Sequence, residues 1–73
     1  MRIIVSHHAV RRLQNLRQMG ITVADVRKAA NRIPGKIPVA TRFRWCRAQS
    51  GREFDLVVKD IANGRLIITV IGK

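Results

Sequence analysis

The dipeptide Asn63-Gly64 constrains the fold of this chain more than any other feature of its sequence. Asn-Gly is the preferred pair for a two-residue turn between antiparallel strands, because both residues tolerate the positive φ angles that such a turn requires. Apolar segments flank the pair on both sides, at residues 53–59 and 65–71. The second segment is apolar at nearly every position, which is typical of a strand in the interior of a sheet. The C-terminal part of the chain is therefore predicted to be a β-hairpin.

A third strand is predicted just before this hairpin. Side chains of an extended segment alternate between two faces, and one face here is expected to pack in the core. That face consists of Val39, Thr41, Phe43 and Trp45, and the other consists of Ala40, Arg42, Arg44 and Cys46. Trp45 is thus expected to pack in the core rather than to stack on a base. Residues 49–51, Gln-Ser-Gly, predict the turn into the next strand.

The N-terminal half of the chain carries the spacing of helices. Residues 3–5 are β-branched and apolar and predict a short strand, and Ser6 is a favourable N-cap for the helix that follows. Apolar residues then recur with helical spacing, which predicts a helix over 7–19 that Gly20 terminates. Its buried face is expected to comprise Ala9, Val10, Leu13 and Leu16.

A second helix is predicted to begin at Thr22. Thr22 and Asp25 have the spacing of a capping box, in which each side chain accepts a hydrogen bond from the other residue's backbone N–H. Pro34-Gly35 ends the helix and begins a turn. The buried stripe is expected to comprise Val23, Val26, Ala29, Ala30 and Ile33.

These elements together predict an α+β fold with the order β-α-α-β-β-β. Three consecutive strands joined by hairpins form a meander, and the two amphipathic helices are expected to cover one face of an antiparallel sheet. The first strand is expected to join that sheet at an edge. Residues 1–73 are expected to form a single domain, since a length of 73 residues fits one.

The net charge of +11 predicts a polyanionic partner. Fifteen Lys and Arg residues stand against four Asp and Glu, and self-repulsion of that size lowers stability unless a polyanion relieves it. Most of the cations are arginine, whose planar guanidinium binds phosphate oxygens in pairs and stacks on exposed bases. We therefore expect nucleic acid, RNA above all, as the partner. An acidic protein partner, or a basic surface that serves solubility alone, is the alternative.

The cellular location is predicted by exclusion. Cys46 is the single cysteine, so the chain cannot form an internal disulfide. It therefore carries no sign of an oxidising compartment. The apolar run at residues 3–5 is too short for a signal-peptide core, and no run is long enough to span a membrane. A cytoplasmic location without membrane contact is expected.

The first predicted helix carries a motif that resembles a known family. Residues 6–13 (SHHAVRRL), followed by Gly-Ile-Thr at 20–22 and Asp-Val at 25–26, resemble small bacterial and phage domains of unknown function. These domains open with a strand and a His-Ala-x-x-Arg helix start, and continue with a second helix and three strands. The motif positions are occupied here by His8, Ala9, Arg12 and Leu13. The group is similar to the RelE/ParE toxin superfamily, whose members share the order β-α-α-β-β-β.

This resemblance implies a RelE-like toxin, an endoribonuclease that cleaves mRNA, including ribosome-bound mRNA, with basic residues and without a metal ion or other cofactor. It also implies an acidic antitoxin protein as a partner. Some relatives act on gyrase instead of RNA, so an activity directed at gyrase is a second possibility that the resemblance implies. The chain contains no tyrosine, which excludes a tyrosine-assisted mechanism. The basic C-terminal tail of better-known members is reduced here to Lys73.

The chain also offers the groups that metal-free RNA cleavage requires: a base for the 2′-hydroxyl, cations for the pentacoordinate phosphate and an acid for the leaving oxygen. His7 and His8 stand at a helix start, where the helix dipole favours the neutral imidazole. Arg12 lies four residues after His8 and hence on the same helical face. The predicted catalytic residues are His8, Arg12 and Arg44.

Further basic residues are predicted to bind the nucleic-acid backbone. Arg42 and Arg44 occupy alternate positions of one strand, a geometry suited to successive phosphates. The predicted nucleic-acid-binding residues are Arg11, Arg42, Arg44, Arg47 and Lys59. Two histidines and one cysteine are too few for a zinc site, so no metal site is expected.

Each of these residues also has an ordinary structural explanation. A histidine in a first helical turn often only packs or forms a local hydrogen bond, Arg12 has Asp25 as a candidate ion-pair partner, and arginines on a strand are often merely solvated. Three functions therefore remain open: a RelE-like ribonuclease toxin, a non-catalytic RNA- or DNA-binding domain of the same fold, and a basic protein that docks an acidic protein.

Overall fold

The computed structural model describes all 73 residues and confirms the order β-α-α-β-β-β. The strands are β1 (Ile3–Val5), β2 (Thr41–Arg47), β3 (Glu53–Ile61) and β4 (Gly64–Gly72), and the helices are α1 (His7–Leu13) and α2 (Val23–Arg32). A 3₁₀ turn, Leu16–Gln18, lies between the helices. Neither helix is long and apolar enough to cross a membrane.

The four strands form one mixed sheet in the order β1-β4-β3-β2. β2, β3 and β4 are the predicted antiparallel meander. The predicted turn at Asn63-Gly64 lies one residue earlier, at Ala62-Asn63, because Ile61 pairs with Gly64, and only Gly64 of the predicted pair has a positive φ. β1 lies at an edge as predicted, but it pairs parallel with β4, so the prediction of a wholly antiparallel sheet is wrong. The helices return the chain across the sheet, and β2 therefore runs in the same direction as β1. Two hairpin reversals later, β4 runs in that direction again.

Both helices pack on one face of the sheet, as predicted. Ala9 of α1 and Val26 and Ala30 of α2 are fully buried and belong to one cluster with a row of sheet residues. That row consists of Phe54, Leu56, Val58, Ile67 and Val70. Each of these larger side chains contributes about 1.5–3 kcal/mol by leaving water.

The first helix is shorter than predicted and ends at Leu13. The side chain of Asn15 accepts a hydrogen bond from the N–H of Arg17 (2.9 Å), which begins the 3₁₀ turn and competes with a continued helix. As a result Leu16, predicted to be buried, is 79% exposed. The apolar spacing alone could not reveal this competition.

The second helix begins with the predicted capping box. Oγ1 of Thr22 accepts a hydrogen bond from the N–H of Asp25 (3.1 Å), and Oδ2 of Asp25 accepts one from the N–H of Thr22 (2.9 Å). Oδ1 of Asp25 accepts a third from the N–H of Gln49 (3.0 Å), which ties α2 to the turn between β2 and β3. Burial acts to raise the pKa of Asp25, but these hydrogen bonds outweigh it and lower the pKa. Val23, predicted to be in the buried stripe, is 39% exposed.

The end of α2 rests on a buried arginine of β4. The guanidinium of Arg65 is fully buried and donates hydrogen bonds to the carbonyls of Ala30, Ile33 and Gly35 (2.8–2.9 Å). Asp60 neutralises it, with Oδ1 at 2.6 Å from Nε. The hydrogen bond from Arg65, helped by a backbone N–H, lowers the pKa of Asp60 to about 2. This arginine therefore serves the fold and is withdrawn from the surface.

A β-bulge interrupts β2. Between the pairs formed by Phe43 and by Cys46, β2 has two residues, Arg44 and Trp45, where β3 has only Asp55. The extra residue shifts the alternation by one, so that Cys46 packs against the core while Trp45 is 64% exposed. The prediction that Trp45 packs in the core is therefore wrong, as is the assignment of Cys46 to the opposite face. Trp45 has a φ of 65°, a conformation that costs of order 1–3 kcal/mol.

Candidate nucleic-acid interface

The start of α1 is held against β4 by Ser6. Its Oγ accepts a hydrogen bond from the N–H of Ala9 (3.0 Å), as the N-cap prediction requires, and donates one to the carbonyl of Ile68 (2.8 Å). The first turn of the helix is thereby attached to the sheet. His7 and His8 lie in that turn and are exposed.

Two adjoining polar depressions run along α1. The first is lined by His7, His8, Arg11, Arg12 and Asn15, and the second by Arg12, Asn15, Arg17 and Gln18. No apolar side chain lines either of them. Because Arg12 and Asn15 border both, the two form one continuous surface. We call it the α1 groove: His7, His8, Arg11, Arg12, Asn15, Arg17 and Gln18.

Arg12 is the best-anchored cation of the α1 groove. Its Nε donates a hydrogen bond to the carbonyl of Val70 in β4 (2.7 Å), and the residue is half-buried. Its two terminal nitrogens remain free to donate to a bound oxyanion. The alternative of an ion pair between Arg12 and Asp25 does not occur, because the Asp25 carboxylate is occupied at the start of α2.

The 3₁₀ turn closes the other end of the α1 groove. Gln18 is buried, and its Oε1 accepts a hydrogen bond from the N–H of Gly72 in β4 (2.7 Å). The turn is thereby fixed to the sheet, and the exposed Arg17 beside Gln18 reaches the groove.

The α1 groove contains no carboxylate. All four acidic side chains of the chain are engaged elsewhere, at the start of α2, beneath α2 and on β3: Asp25, Asp60, Glu53 and Asp55. The three arginines of the groove therefore have no ion-pair partner within the chain. An external anion is the group that would neutralise them, and phosphate oxygens match the fork of the guanidinium.

A second basic region lies on β2 and is built around Asp55. The buried Asp55 carboxylate accepts hydrogen bonds from Nε of Arg42 (2.9 Å) and from the N–H of Trp45 (3.2 Å). It also forms ion pairs with Nη2 of Arg42 (2.7 Å) and Nζ of Lys73 (3.3 Å). Burial acts to raise the pKa of Asp55, but these donors outweigh it and lower the pKa. We call Arg42, Trp45, Asp55 and Lys73 the Asp55 cluster.

The remaining predicted binding residues differ in whether a carboxylate of the chain already pairs with them. Arg44 on β2 and Lys59 on β3 are exposed, and neither forms an ion pair. Arg47 lies 3.7 Å from Glu53, with both side chains exposed, and an exposed pair of this kind contributes little. Arg42 is the least available of the set, because the Asp55 carboxylate holds it.

The structure brings only part of the predicted catalytic set together. His8 and Arg12, with Arg11, line the α1 groove as the helical spacing predicts. Arg44 lies on the edge strand β2, two strands from β4, which is about 10 Å at the usual strand spacing, and it does not line the groove. Asn15 and Arg17 complete the groove instead. Asparagine is a frequent N-cap, so Asn15 was the available signal that the first helix breaks there.

No three His, Cys, Asp or Glu side chains of this structure come together in a group that could hold a metal ion. Comparisons with protein-family models, with curated proteins and with solved structures return no match to this chain. The resemblance to the RelE/ParE superfamily accordingly stays a prediction made from the motif at the start of α1.

Proposed function

We propose that this protein is a RelE-like ribonuclease that binds RNA phosphates in the α1 groove and cleaves the RNA there without a metal ion. The observation that carries the proposal is that three arginines and two histidines share this groove with no carboxylate. A carboxylate-free basic groove in a chain of net charge +11 attracts polyanions from a distance. The element order and the His-Ala-x-x-Arg motif support the RelE-like assignment of the fold.

The proposed reaction is a transesterification at one phosphate. His8 accepts the proton of a 2′-hydroxyl as that oxygen attacks the adjacent phosphorus, and the bond from phosphorus to the 5′-oxygen breaks. The departing 5′-oxygen takes a proton from solvent water, and the hydroxide left behind takes up the proton that His8 accepted. The products are a 2′,3′-cyclic phosphate and a 5′-hydroxyl. Both histidines line the groove that would hold the phosphate.

Arg12 is the group that stabilises the transition state in this proposal. Its bond to the Val70 carbonyl holds the side chain in place, and its terminal nitrogens donate to the non-bridging oxygens on which negative charge accumulates. Arg11 and Arg17 hold the neighbouring phosphates. Arg44 has a binding role in this proposal rather than a catalytic one, because it lies outside the groove.

The proposal includes two further expectations. An acidic antitoxin protein is the expected partner, since its carboxylates would neutralise the same unpaired arginines. The cytoplasm is the expected location, since mRNA, ribosome-bound mRNA included, is the proposed substrate there and a lone thiol such as Cys46 stays reduced.

A second candidate function is RNA or DNA binding without cleavage. The observation that favours it concerns His7 and His8. Both imidazoles are exposed, and neither forms a hydrogen bond with another group of the protein that would orient it. A catalytic base is usually held in its productive geometry by supporting groups. On this alternative the α1 groove binds phosphates, and the two histidines are dispensable.

The deciding experiment is incubation of single-stranded RNA with the purified protein in EDTA. We expect cleavage that leaves 2′,3′-cyclic phosphate ends, detected by mass spectrometry. His8→Ala is expected to reduce the rate by about 10²–10⁴-fold, because it removes the general base. Arg12→Lys keeps the charge but loses the second terminal nitrogen, and is expected to reduce the rate while preserving RNA affinity.

Lys36→Gln is the matched control, because Lys36 is exposed and belongs to neither basic region. It is expected to cleave RNA at the wild-type rate. Shifted but intact RNA, with equal affinity in wild type and His8→Ala, would support the non-catalytic candidate and rule out cleavage by the free protein. A rate that is unchanged in His8→Ala would remove His8 from the mechanism.

A further inference from the structure

Trp45 is the single tryptophan of the chain, and its side chain does not belong to the hydrophobic core. The indole is 64% exposed, and the backbone at Trp45 is left-handed, with a φ of 65°. A bulge re-aims a side chain, and a bulky residue with positive φ persists only where its surroundings hold it there. Here the buried carboxylate of Asp55 does so, since it accepts the Trp45 N–H at 3.2 Å.

The surroundings of the indole are cationic. Nζ of Lys73 lies 3.7 Å from the centroid of the ring and covers part of one face. Trp45 also borders a cleft between α2 and β2, whose lining includes Lys28, Arg32 and Arg47. The one acid in that cleft is Asp25, whose two oxygens are already taken by backbone N–H groups. The cleft therefore has an excess of positive charge beside an exposed aromatic face.

Arg52 connects the end of the 3₁₀ turn to Lys73, the residue that covers Trp45. Arg52 donates hydrogen bonds to the carbonyl of Met19 (2.8 Å), just after the 3₁₀ turn, and to the carbonyl of Lys73 (3.2 Å). Its partners are carbonyls, so its charge is not neutralised. From Val70, which holds Arg12, to Lys73 the chain advances by about 10 Å at the usual rise of a strand. A single nucleic-acid strand of a few nucleotides is long enough to cover that distance.

We infer that Trp45 is the stacking site for one unpaired base of RNA, whose flanking phosphates lie against Lys28, Arg32 and Arg47. An aromatic face between cations matches a nucleotide, which joins a flat base to a phosphate on either side. An acidic protein segment would use the cations but would leave the indole without a planar partner. The inference rests on the proposed function only in taking RNA as the ligand, and it does not require cleavage.

The chain is well suited to a direct test, because Trp45 is the only tryptophan and tyrosine is absent. A six-nucleotide single-stranded RNA with 2′-deoxy or 2′-O-methyl sugars, which cannot be cleaved, is added while tryptophan fluorescence is recorded. We expect the RNA to quench the fluorescence. An abasic oligonucleotide of the same length is the control, and it should bind through its phosphates with little quenching.

Affinity measurements complete the test. Trp45→Leu is expected to weaken binding of the six-nucleotide RNA by between about fivefold and about 150-fold, the range measured for loss of one stacked base, while Trp45→Phe retains most of the affinity. The abasic oligonucleotide should bind wild type and Trp45→Leu equally. Circular dichroism on each variant checks that it folds.

The outcomes separate this inference from the proposed function. Unchanged fluorescence together with equal RNA affinity in wild type and Trp45→Leu would overturn the stacking site and leave the α1 groove proposal intact. Equal quenching by the RNA and by the abasic oligonucleotide would also overturn it, since that points to displacement of Lys73 rather than to stacking. Quenching by the RNA alone, in a protein that fails to cleave RNA, would support the stacking site and reject the ribonuclease.

Discussion

The α1 groove and the Asp55 cluster are both basic, and they differ in whether a carboxylate is present. In the α1 groove, Arg11, Arg12 and Arg17 have no acidic neighbour, and the one polar anchor is a backbone carbonyl that leaves the charge of Arg12 unneutralised. In the Asp55 cluster, one buried carboxylate holds Arg42 at 2.7 Å and Lys73 at 3.3 Å. The first region has three cations and no acid, whereas the second has two cations that share one carboxylate, so the first is the freer of the two to bind external phosphate.

The difference shows that a net charge of +11 does not make every cation of the chain available to a ligand. Two acids are enough to engage three cations, because Asp60 lies beneath α2 against Arg65 and Asp55 lies opposite the bulge against Arg42 and Lys73. Arg65 is the extreme case, since it is fully buried and serves α2. The cations that remain unpaired, rather than the total, are therefore the ones on which a nucleic-acid interface depends.

Acid is expected to have the largest effect, because it acts on several carboxylates at once. The pKa values of Asp25, Asp55 and Asp60 are lowered in the folded protein, that of Asp60 to about 2. Their contribution to stability is thus complete above the ordinary pKa of 3.8 and is lost as the pH falls below it, for Asp60 over the range down to about 2. Urea unfolding at pH 7, 4 and 2.5 should show this loss. In Asp60→Asn the free energy of unfolding should fall less between pH 7 and pH 2.5, because this variant lacks one of the three carboxylates that take up a proton.

Removal of the Asp55 carboxylate is the next largest effect. Asp55→Ala is expected to lower the free energy of unfolding by about 3 kcal/mol, the lower end for breaking a buried ion pair, because Arg42 keeps partial contact with water. Asp55→Asn removes the same charge but keeps an oxygen that can accept the Trp45 N–H. It should therefore free Arg42 and Lys73 without releasing Trp45, and RNA affinity should rise at a temperature where this variant is still folded. A fall in affinity would contradict the view that Asp55 withdraws these cations from RNA.

The two regions can be compared directly through the salt dependence of RNA binding. Arg11→Gln combined with Arg17→Gln is expected to make the slope of log K against log salt shallower by about 1.4, since each lost phosphate contact on a single strand removes about 0.7. Arg42→Gln removes the same kind of charge, but should leave the slope nearly unchanged because Asp55 already neutralises it. Titrations at five salt concentrations measure both. Equal changes in the two variants would erase the distinction between the regions.

The smallest effect is expected at the exposed ion pair on the same strand. Glu53→Gln breaks the 3.7 Å contact with Arg47 and should change the free energy of unfolding by less than about 0.5 kcal/mol. Thermal unfolding of this variant beside Asp55→Ala would compare an exposed pair with a buried one on neighbouring strands. A large loss in Glu53→Gln would mean that exposure does not separate the two pairs.

Several features of the fold follow from local chemistry and were predictable for that reason. The hairpin between β3 and β4 depends on adjacent turn residues, although its turn lies at Ala62-Asn63, one residue before the predicted pair. The capping box depends on Thr22 and Asp25 alone. The common helical face of His8 and Arg12 depends on the four-residue spacing, and both line the α1 groove. In each case the deciding interaction lies within a few residues of the chain.

Other features depend on contacts between distant segments, and the sequence pattern misplaced them. The bulge that exposes Trp45 is set by pairing with β3 and by the Asp55 carboxylate, so a count of alternating positions put the indole in the core. The break after Leu13 depends on Asn15 and on the attachment of Gln18 to β4.

The element order, the helix caps and the excess of positive charge follow from the sequence alone, because they rest on local backbone preferences and on composition. The direction in which β1 pairs, the positions of Arg65 and Trp45, and the set of arginines without a carboxylate depend on contacts made in the folded chain. Neutralisation and burial are properties of pairs of groups, and the pairs form only on folding. The partner of Arg42 lies 13 residues away on β3. Arg65 pairs with Asp60 across one hairpin, but it is buried only because the end of α2 packs on it.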